Sequence, residues 1–359
     1  MNAHLLVAVS GHGYGHVAQV APVVNALAQM TPGLRLTVYS AAPEYILHNR
    51  FRVPFRQVRR EPDVGAVMDS ALAVNVERTA AAYAAFHRHW DASVQEEAAR
   101  LRMLAPDLVL ADVPYRVLAA AARAAIPALA LCSLNWADIY RHYCGAVAGA
   151  DAIHRQIVDA YDDAEQFLCP EPSMPMPGIR NRRPVAPIAW PAADGARRRL
   201  RERLGRYGDR HLVLVTLGGI ETANPMSAWQ EDPDICYLVP RAWEVQRPGF
   251  VAVENVDLQF SDVLAGCDAV VTKPGYNTMV EAACAGVPVL YVPRADWPEA
   301  PWLVRWLECH GRCRAIDEEV LDRGGIGPQL VSLLQQPASA PPIADGARQG
   351  AAILAEYLA

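Results

Sequence analysis

The chain has 359 residues, of which 52% are hydrophobic and 20% are charged, and its formal net charge is −6. This length is natural for two domains, and the composition is typical of a well-cored globular protein and excludes a disordered chain. The negative charge argues against a general nucleic-acid-binding protein, and no apolar run approaches the roughly 20 residues of a membrane span.

The first elements form a strand–loop–helix–strand unit. Leu5–Val9 is a predicted strand, Val17–Met30 a helix and Leu34–Tyr39 the second strand. The loop between the first two, Gly11–His16, has glycines at alternate positions, which lets a ligand approach the backbone at a helix start. Its spacing differs from the G-x-G-x-x-G fingerprint of dinucleotide-binding proteins.

Four residues of this loop are candidate site residues. Gly13 and Gly15 are predicted to let a phosphate group approach closely. His12 and His16 add titratable groups where a strand's carboxyl end meets a crevice. His16 is the candidate general base and His12 a candidate acceptor contact, although each could instead be a buried, hydrogen-bonded histidine.

An arginine-rich strand is predicted next. Phe51–Val58 alternates apolar residues with Arg52 and Arg56, and Arg59 and Arg60 follow. The pattern favours an outer strand with a solvated arginine face. The alternative is a basic patch that faces an anionic substrate or a membrane surface.

The chain then returns to strands and helices of the same kind as the first unit. After a mainly helical region, two buried strands are separated by a helix, and polar residues follow both strands. The predicted elements are a helical region over Asp69–Leu104, strands over Pro106–Ala111 and Ala128–Cys132, and a helix over Arg116–Ala125.

Polar side chains at these strand ends are candidates for the acceptor side of a site. Asp112 closes the first strand, and Asn135, Trp136 and Asp138 follow the second. Ligands of parallel sheets bind at the carboxyl ends of strands, so Asp112 is the reserve candidate for a base. Asn and Asp also cap helices, and that alternative requires no function.

A proline-rich segment, Cys169–Pro191, is predicted to be the linker between two domains. After it, Arg197–Arg210 is expected to form a solvated helix. The second domain then opens with a strand and a tight turn containing Gly218 and Gly219. Its further predicted elements are strands over Leu212–Thr216, Cys236–Val239 and Phe250–Val253, and helices over Gln259–Ala265, Pro301–Glu308, Pro328–Leu334 and Ala347–Leu358.

The most informative stretch is Asp268–Arg294. A buried strand over Ala269–Val271 leads into Lys273-Pro274-Gly275 and a helix over Asn277–Ala285, followed by a strand over Val287–Val292. The helix start predicts an anion site, to which backbone N–H groups and the helix dipole contribute. Its candidate ligand contacts are Lys273, Gly275, Tyr276, Asn277, Thr278 and, one turn later, Glu281.

Lys273 is the only lysine among the 33 lysine and arginine residues. An ammonium is compact and strongly hydrated, so it is not equivalent to a planar guanidinium at a crowded phosphate site. We interpret Lys273 as a lysine that is retained because of its function. The alternative is that it has no function and remains at the end of a strand by chance.

The cysteines indicate a reduced compartment. The chain has 8 cysteines, mostly within apolar runs. Cys309 and Cys313 lack a second ligand pair at finger spacing, so no metal site is predicted there. No signal peptide is evident. We expect a cytoplasmic protein, or one peripheral to the inner face of the membrane, with no transmembrane segment.

Together these residues resemble GT-B-fold glycosyltransferases, which use nucleotide sugars. The second half resembles the branch that contains the peptidoglycan N-acetylglucosaminyltransferase, through a K-x-G-x-x-T-x-x-E segment at Lys273, Gly275, Thr278 and Glu281. The loop Gly11–His16 resembles the glycine-rich loop ending in histidine that opens the chain in that branch. The nearest likeness is to the glycosyltransferase-like N-terminal domain of arabinokinases and its free-standing bacterial relatives. It rests on Gly11–His16, Asp112-Val113-Pro114, Asn135-Trp136, Ile139-Tyr140, Glu299-Ala300-Pro301 and Leu303.

The resemblance implies roles for several residues. Lys273, Gly218 and Gly219 would contact the diphosphate, Glu281 the ribose, and the backbone at Val253 and Val256 the base. The segment after the Gly218-Gly219 turn reads as a loop, where relatives have a helix. The Asp-Gln pair that holds the donor sugar in many relatives is absent, which leaves Asp296 and Glu299 as candidates.

The sequence therefore predicts an α/β protein of the GT-B fold, with two Rossmann-like domains whose parallel sheets face each other across a cleft. We expect an acceptor-side domain over residues 1–180, a donor-side domain over 181–345 and a terminal helix over 346–359 that crosses back to the first domain. The predicted activity is metal- and cofactor-independent transfer from a UDP or dTDP sugar, the co-substrate, to an unidentified acceptor. A nucleotide-sugar hydrolase or epimerase, and a non-catalytic nucleotide-sugar-binding module, are the alternatives.

Overall fold

The computed structural model describes residues 3–11, 14–70, 73–217 and 225–359. Within them the chain divides into two compact units. Unit 1 comprises the described parts of residues 1–69, 73–188 and 344–359, and unit 2 those of residues 70–72 and 189–343.

Unit 1 is built on a seven-stranded sheet in which all strands run parallel. Its inner strands are almost wholly buried apolar runs, because helices cover both faces of such a sheet, whereas the two edge strands are mostly half-buried or exposed. The strands are β1 (His4–Val9), β2 (Arg35–Tyr39), β3 (Phe55–Val58), β4 (Leu108–Asp112), β5 (Ala128–Leu131), β6 (Gln166–Pro170) and β7 (Arg182–Val185). The helices are α1 (Gly15–Met30), α2 (Glu44–Arg50), α3 (Val76–His87), α4 (Trp90–Leu104), α5 (Tyr115–Ala124), α6 (Trp136–Cys144), α7 (Ala150–Asp162) and, at the chain's end, α14 (Gly346–Leu358).

Unit 2 repeats this architecture on a six-stranded parallel sheet. One large cluster of buried apolar side chains, which includes Trp229 and Leu290, lies against this sheet. The strands are β8 (His211–Val215), β9 (Ile235–Val239), β10 (Phe250–Ala252), β11 (Ala269–Thr272), β12 (Val289–Tyr291) and β13 (Cys313–Ala315). The helices are α8 (Ala196–Leu204), α9 (Phe260–Gly266), α10 (Tyr276–Cys284), α11 (Ala300–His310), α12 (Glu318–Arg323) and α13 (Gly327–Leu334).

Both sheets reverse their strand order at one internal point. The order is β3-β2-β1-β4-β5-β6-β7 in unit 1 and β10-β9-β8-β11-β12-β13 in unit 2. The crevice of a doubly wound sheet opens where the order reverses, which is between β1 and β4 and between β8 and β11. The predicted α/β class with two parallel sheets is confirmed.

The terminal helix α14 packs in unit 1 against α1. Glycine is required at its start, because a Cβ on Gly346 would collide with the carbonyl group of Ala186. At Gly350 an added Cβ would lie 3.1 Å from a methyl group of Val23. The two small residues therefore allow the helix to approach its neighbours closely.

The proline-rich segment is more ordered than the sequence predicts. It contains the end of β6 and the whole of β7, and Pro184 lies opposite Cys169 in the sheet. The prediction of a linker over Cys169–Pro191 is therefore too broad. β7 is an edge strand, the one place where a parallel sheet tolerates the missing N–H of a proline.

The arginine-rich helix α8 is not simply solvated. Asp268, 9% exposed, accepts hydrogen bonds from Arg197 and Arg201 and from the backbone N–H of Leu212, the last at 2.8 Å. These contacts join α8 to the start of β8 and of β11. The helix has the predicted solvated face, since Arg198 and Arg203 are exposed. Its sequence pattern gave no indication of the buried carboxylate that binds Arg197 and Arg201.

The arginine-rich segment predicted to be an outer strand contains β3, which lies at the edge of the first sheet opposite to β7. β3 pairs with β2 alone in that sheet, and Arg52, Arg56, Arg59 and Arg60 are exposed. No helix in the described residues is both long and apolar enough to cross a lipid bilayer.

Candidate functional site

His16 and Asp112 meet at the reversal point of the first sheet. Asp112 is the last residue of β4 and lies opposite Val9, the last residue of β1. The chain leaves β1 through Ser10 and enters α1 at Gly15, which places His16 in the first turn. Its Nδ1 lies 2.9 Å from Oδ1 of Asp112. Two candidates separated by 96 residues are thus hydrogen-bonded.

The burial of Asp112 and its hydrogen bond with His16 favour His16 as a general base. Asp112 has no exposed surface, and burial raises the pKa of its carboxyl group, while the hydrogen bond with His16 acts in the opposite direction. An ionised Asp112 accepts this bond from Nδ1–H, so Nε2 is then the basic nitrogen of His16. A buried carboxylate that fixes the tautomer of a histidine is an arrangement that supports general-base catalysis.

Three further side chains surround the pair, and sequence reasoning missed the role of two. The Sγ atom of Cys132, which follows β5, lies 3.9 Å from Nδ1 of His16. The ring of Trp136 is centred 5.8 Å from the histidine ring. Asp63, 2% exposed, accepts hydrogen bonds from Ser10 Oγ at 2.9 Å and Trp136 Nε1 at 2.7 Å. Asp63 therefore links Ser10, at the start of the loop after β1, to the indole ring of Trp136.

Two other acceptor-side candidates, Asn135 and Asp138, are hydrogen-bonded to each other. Asn135 is fully buried and precedes α6; its side chain accepts a hydrogen bond from the backbone N–H of Asp138 and donates one to Oδ2 of Asp138, each at 2.8 Å. These two residues thus form a helix cap, which is the alternative that the sequence left open. His12 and Gly13 lie outside the described residues, so their contact with an acceptor or a phosphate stays a prediction.

The second candidate site lies at the reversal point of the other sheet. β11 ends at Thr272, and Lys273, Pro274 and Gly275 lead into α10 at Tyr276. Gly275 is the N-cap residue, and no side chain caps the helix there. The predicted loop at a helix N-terminus is therefore present. Gly218 and Gly219, which follow β8, lie outside the described residues.

Lys273 is a half-buried cation at this helix start. The pKa of its ammonium group is lowered to about 8, chiefly by burial and then by the nearby Arg294, while Glu299 acts in the opposite direction. Within the described parts of the chain, no ion pair or hydrogen bond holds this ammonium. A partly buried cation of this kind suits an anionic ligand.

Arg294 was missed by sequence reasoning. Its side chain is 7% exposed, and its guanidinium lies 4.0 Å from the centre of the Trp297 ring. The indole Nε1 of Trp297 donates to Oε2 of Glu299 at 3.2 Å. Arg294 and Lys273 thus bring two positive charges to one end of the sheet, and Glu299 is the carboxylate nearby.

The remaining donor-side candidates differ in burial. Glu281, in α10, and Glu299 are each 4% exposed, whereas Asp296 is exposed. Asn277 and Thr278 are half-buried in the first turn of α10. Val253 is half-buried in a 3-10 turn that follows β10, and Val256 behind it is buried. β10 is the outer strand, so these valines lie three strand positions from β11.

Comparisons with known proteins place this geometry among glycosyltransferase structures. No family model matches the chain. It is 28% identical over 371 residues to L-arabinokinase from Arabidopsis thaliana, covering 99% of this chain and 34% of that protein. The chain thus spans about a third of the length of the curated relative that it matches, and the predicted similarity to arabinokinases is confirmed.

Three solved structures cover nearly the whole chain. The glycosyltransferase of kitacinnamycin has a TM-score of 0.67 at 15% identity, with 99% of each chain covered. A glycosyltransferase of Arabidopsis thaliana in complex with UDP has a TM-score of 0.59 at 14% identity, covering 99% of this chain and 100% of that one. The glycosyltransferase VinC in complex with dTDP has a TM-score of 0.53 at 16% identity, covering 99% and 95%. The chain therefore has the GT-B fold of these glycosyltransferases.

Proposed function

We propose that this protein transfers a glycosyl group from a nucleoside-diphosphate sugar, of the UDP or dTDP type, to an acceptor hydroxyl. Unit 2 binds the donor and unit 1 supplies the base. The observation that carries this proposal is the hydrogen bond between His16 and the buried Asp112, because a binding module needs no oriented base. The solved relatives in complex with UDP and dTDP support the donor class.

The chemistry requires stabilisation of a departing diphosphate. The Lys273 ammonium, the backbone N–H groups at the start of α10 and the Thr278 hydroxyl would supply it, and Arg294 adds a second positive charge. Glu281 would accept hydrogen bonds from the ribose, and Glu299 is better placed than the exposed Asp296 to bind a sugar hydroxyl. Because these groups already supply positive charge, we propose that transfer needs no metal ion.

Proton removal completes the reaction. His16 Nε2 would take the proton of the acceptor hydroxyl as the oxygen attacks the anomeric carbon and the bond to the diphosphate breaks. Asp112 would hold the Nδ1–H tautomer and stabilise the imidazolium that forms.

A panel of nucleotide sugars, incubated with and without a small-molecule extract, tests this function. Transfer predicts that free nucleotide accumulates only with extract, together with a product that has gained the mass of the sugar; EDTA should not lower the rate. Release with water alone would indicate a hydrolase, and an isomerised sugar an epimerase. Binding without turnover in every mixture would contradict catalysis and favour the binding module.

Gly275 provides a test of the donor site. Its backbone is extended, with φ of −160°, and an added Cβ would meet only the Lys273 carbonyl oxygen, at 3.9 Å. Gly275→Ala should therefore change the free energy of unfolding by no more than about 0.5 kcal/mol. We expect UDP or dTDP affinity, measured by calorimetry, to fall about tenfold, because the methyl group would occupy the approach to the helix N-terminus.

Gly178→Ala is the matched control, since an added Cβ there meets only a methyl group of Val158 at 3.8 Å. Both properties should stay unchanged in that variant. Wild-type nucleotide affinity in Gly275→Ala would show that no ligand approaches this helix start.

A further inference from the structure

A cluster of three potential metal ligands lies at adjacent strand ends of unit 1. His16 lies in the first turn of α1, Asp112 is the last residue of β4 and Cys132 follows β5. The strands that precede them, β1, β4 and β5, are neighbours in the sheet. One ligand atom from each lies within 4.8 Å of the others. Cys309 and Cys313 form no such group within the described residues. The cluster has a ligand set, nitrogen, oxygen and sulfur, that suits a borderline-soft divalent cation.

The spacing is close to that of tetrahedral zinc. Typical Zn–N, Zn–O and Zn–S bond lengths place nitrogen and oxygen about 3.3 Å apart, and nitrogen and sulfur about 3.6 Å apart. The observed separations are 2.9 Å between Nδ1 and Oδ1 and 3.9 Å between Nδ1 and Sγ. The two separations that involve Nδ1 are thus within about half an ångström of the zinc values, and the separation between the carboxylate oxygen and Sγ is at most 4.8 Å. Rotation of the Asp112 and Cys132 side chains would bring this last pair together.

Burial and charge also favour a divalent ion. Asp112 is fully buried, Cys132 is 2% exposed, and Oδ2 of Asp112 accepts no hydrogen bond from a described residue. With Asp112 and Cys132 as anions and His16 neutral, a bound Zn²⁺ would be neutralised by its ligands, which removes the cost of a buried net charge. The thiol proton would leave to solvent as the Zn–S bond forms.

We propose that His16, Asp112 and Cys132 form a Zn²⁺-binding site, and that zinc bound there inhibits the protein by occupying its general base. Zinc binding stands independently of the reaction. Inhibition rests on the proposed function, since zinc on Nδ1 requires the Nδ1 proton to move to Nε2, and the Nε2–H nitrogen then has no lone pair with which to take the acceptor proton. Zinc is thus an inhibitor here, whereas transfer itself proceeds without a metal.

Equilibrium dialysis with zinc alone, on the full chain, tests the binding. We expect one zinc per chain and, with cobalt in its place, a thiolate-to-metal charge-transfer band in the near ultraviolet. Cys132→Ala should remove the band and weaken zinc binding by about 100-fold. Cys144→Ala is the matched control, because Cys144 is also a buried thiol of unit 1 and should keep both.

X-ray absorption at the zinc edge of the wild-type protein keeps the test valid if a variant does not fold. One sulfur ligand with nitrogen and oxygen supports the site. Two sulfur ligands, or zinc lost on Cys309→Ala, would assign the metal to Cys309 and Cys313 and overturn the proposal, as would the absence of stoichiometric binding.

Turnover measurements separate binding from inhibition. Zinc should lower nucleotide release in the wild type, EDTA should restore it, and Cys132→Ala should need about 100-fold more zinc relative to its own zinc-free rate. If zinc binds with one sulfur ligand and the rate does not change, the site exists but His16 is not the base. If no nucleotide sugar is turned over with or without zinc, the proposed function fails and the zinc site is judged by its spectrum alone.

Discussion

His16→Ala should lower kcat by about 10²- to 10⁴-fold and leave the affinity for the nucleotide sugar nearly unchanged. The imidazole is the group that takes the acceptor proton, whereas the side chains proposed to bind the donor, such as Lys273 and Glu281, belong to unit 2. Steady-state kinetics with the donor varied at saturating acceptor, and calorimetry with UDP or dTDP, give the two quantities separately. A variant with wild-type kcat would exclude His16 as the base.

Asp112→Asn should lower kcat by a similar factor, because an amide can hydrogen-bond His16 without stabilising the imidazolium. The same substitution should not destabilise the folded protein. Burial raises the pKa of Asp112, so the folded state binds more protons than the unfolded state above the ordinary carboxyl pKa, and the free energy of unfolding falls as pH rises through that window. The neutral amide of the variant removes this cost, so we expect a thermal midpoint at pH 7 no lower than that of the wild type.

Asp268→Asn is the matched control for a buried carboxylate. Asp268 binds Arg197 and Arg201 in unit 2, so its replacement should destabilise the fold by about 2 kcal/mol and leave kcat unchanged. Replacing a catalytic carboxylate by an amide should thus lower kcat and keep stability, whereas replacing a structural carboxylate should lower stability and keep kcat. Loss of stability without loss of kcat in Asp112→Asn would assign Asp112 to the structural class.

Regular strands and the loops after them were predictable because each carries a local signal. The apolar runs of β1, β4 and β11 end in polar residues or glycine, and parallel strands bring these ends to one edge of a sheet. His16 and Asp112 could therefore be named as candidates from the sequence. Their hydrogen bond could not, since it depends on the pairing of β1 with β4.

The residues whose roles were not predicted from the sequence have no distinctive local pattern around them. Asp63 lies outside regular structure after β3, and Arg294 follows β12 among many other arginines, so neither has a distinctive sequence context. Cys132 looked like an ordinary core thiol, and β7 was hidden by its proline. Asp63 and Cys132 acquire their roles from partners distant in the chain, Trp136 and His16 respectively, and local patterns do not specify such partners.

Lys273→Met should raise stability while it removes donor binding. The pKa of about 8 in the folded protein lies below the ordinary lysine value of 10.5, so the unfolded chain binds more protons between these values. The free energy of unfolding therefore rises with pH through that window, and at pH 7 the buried ammonium costs up to about 3 kcal/mol. Methionine, which has a similar length and no charge, removes this cost, so the thermal midpoint should increase.

Donor affinity should fall by more than about tenfold in the same variant, because an ammonium that meets a diphosphate away from bulk water contributes well over about 1.4 kcal/mol. Calorimetry with UDP or dTDP and thermal unfolding at pH 7 give both numbers. An unchanged affinity would remove Lys273 from the donor site, and a lowered midpoint would show that the ammonium has a structural partner.

The pH dependence of kcat/KM gives an independent test, because this ratio reports the free protein. Lys273 must be protonated to bind the diphosphate, so kcat/KM should fall as pH rises through about 8. In Lys273→Arg the guanidinium stays charged, and the fall near pH 8 should disappear even though the bulkier, planar group lowers the absolute rate. A fall that persists at the same pH in Lys273→Arg would assign it to another group. A rate equal to that of the wild type would show that the chain's lone lysine is interchangeable with arginine.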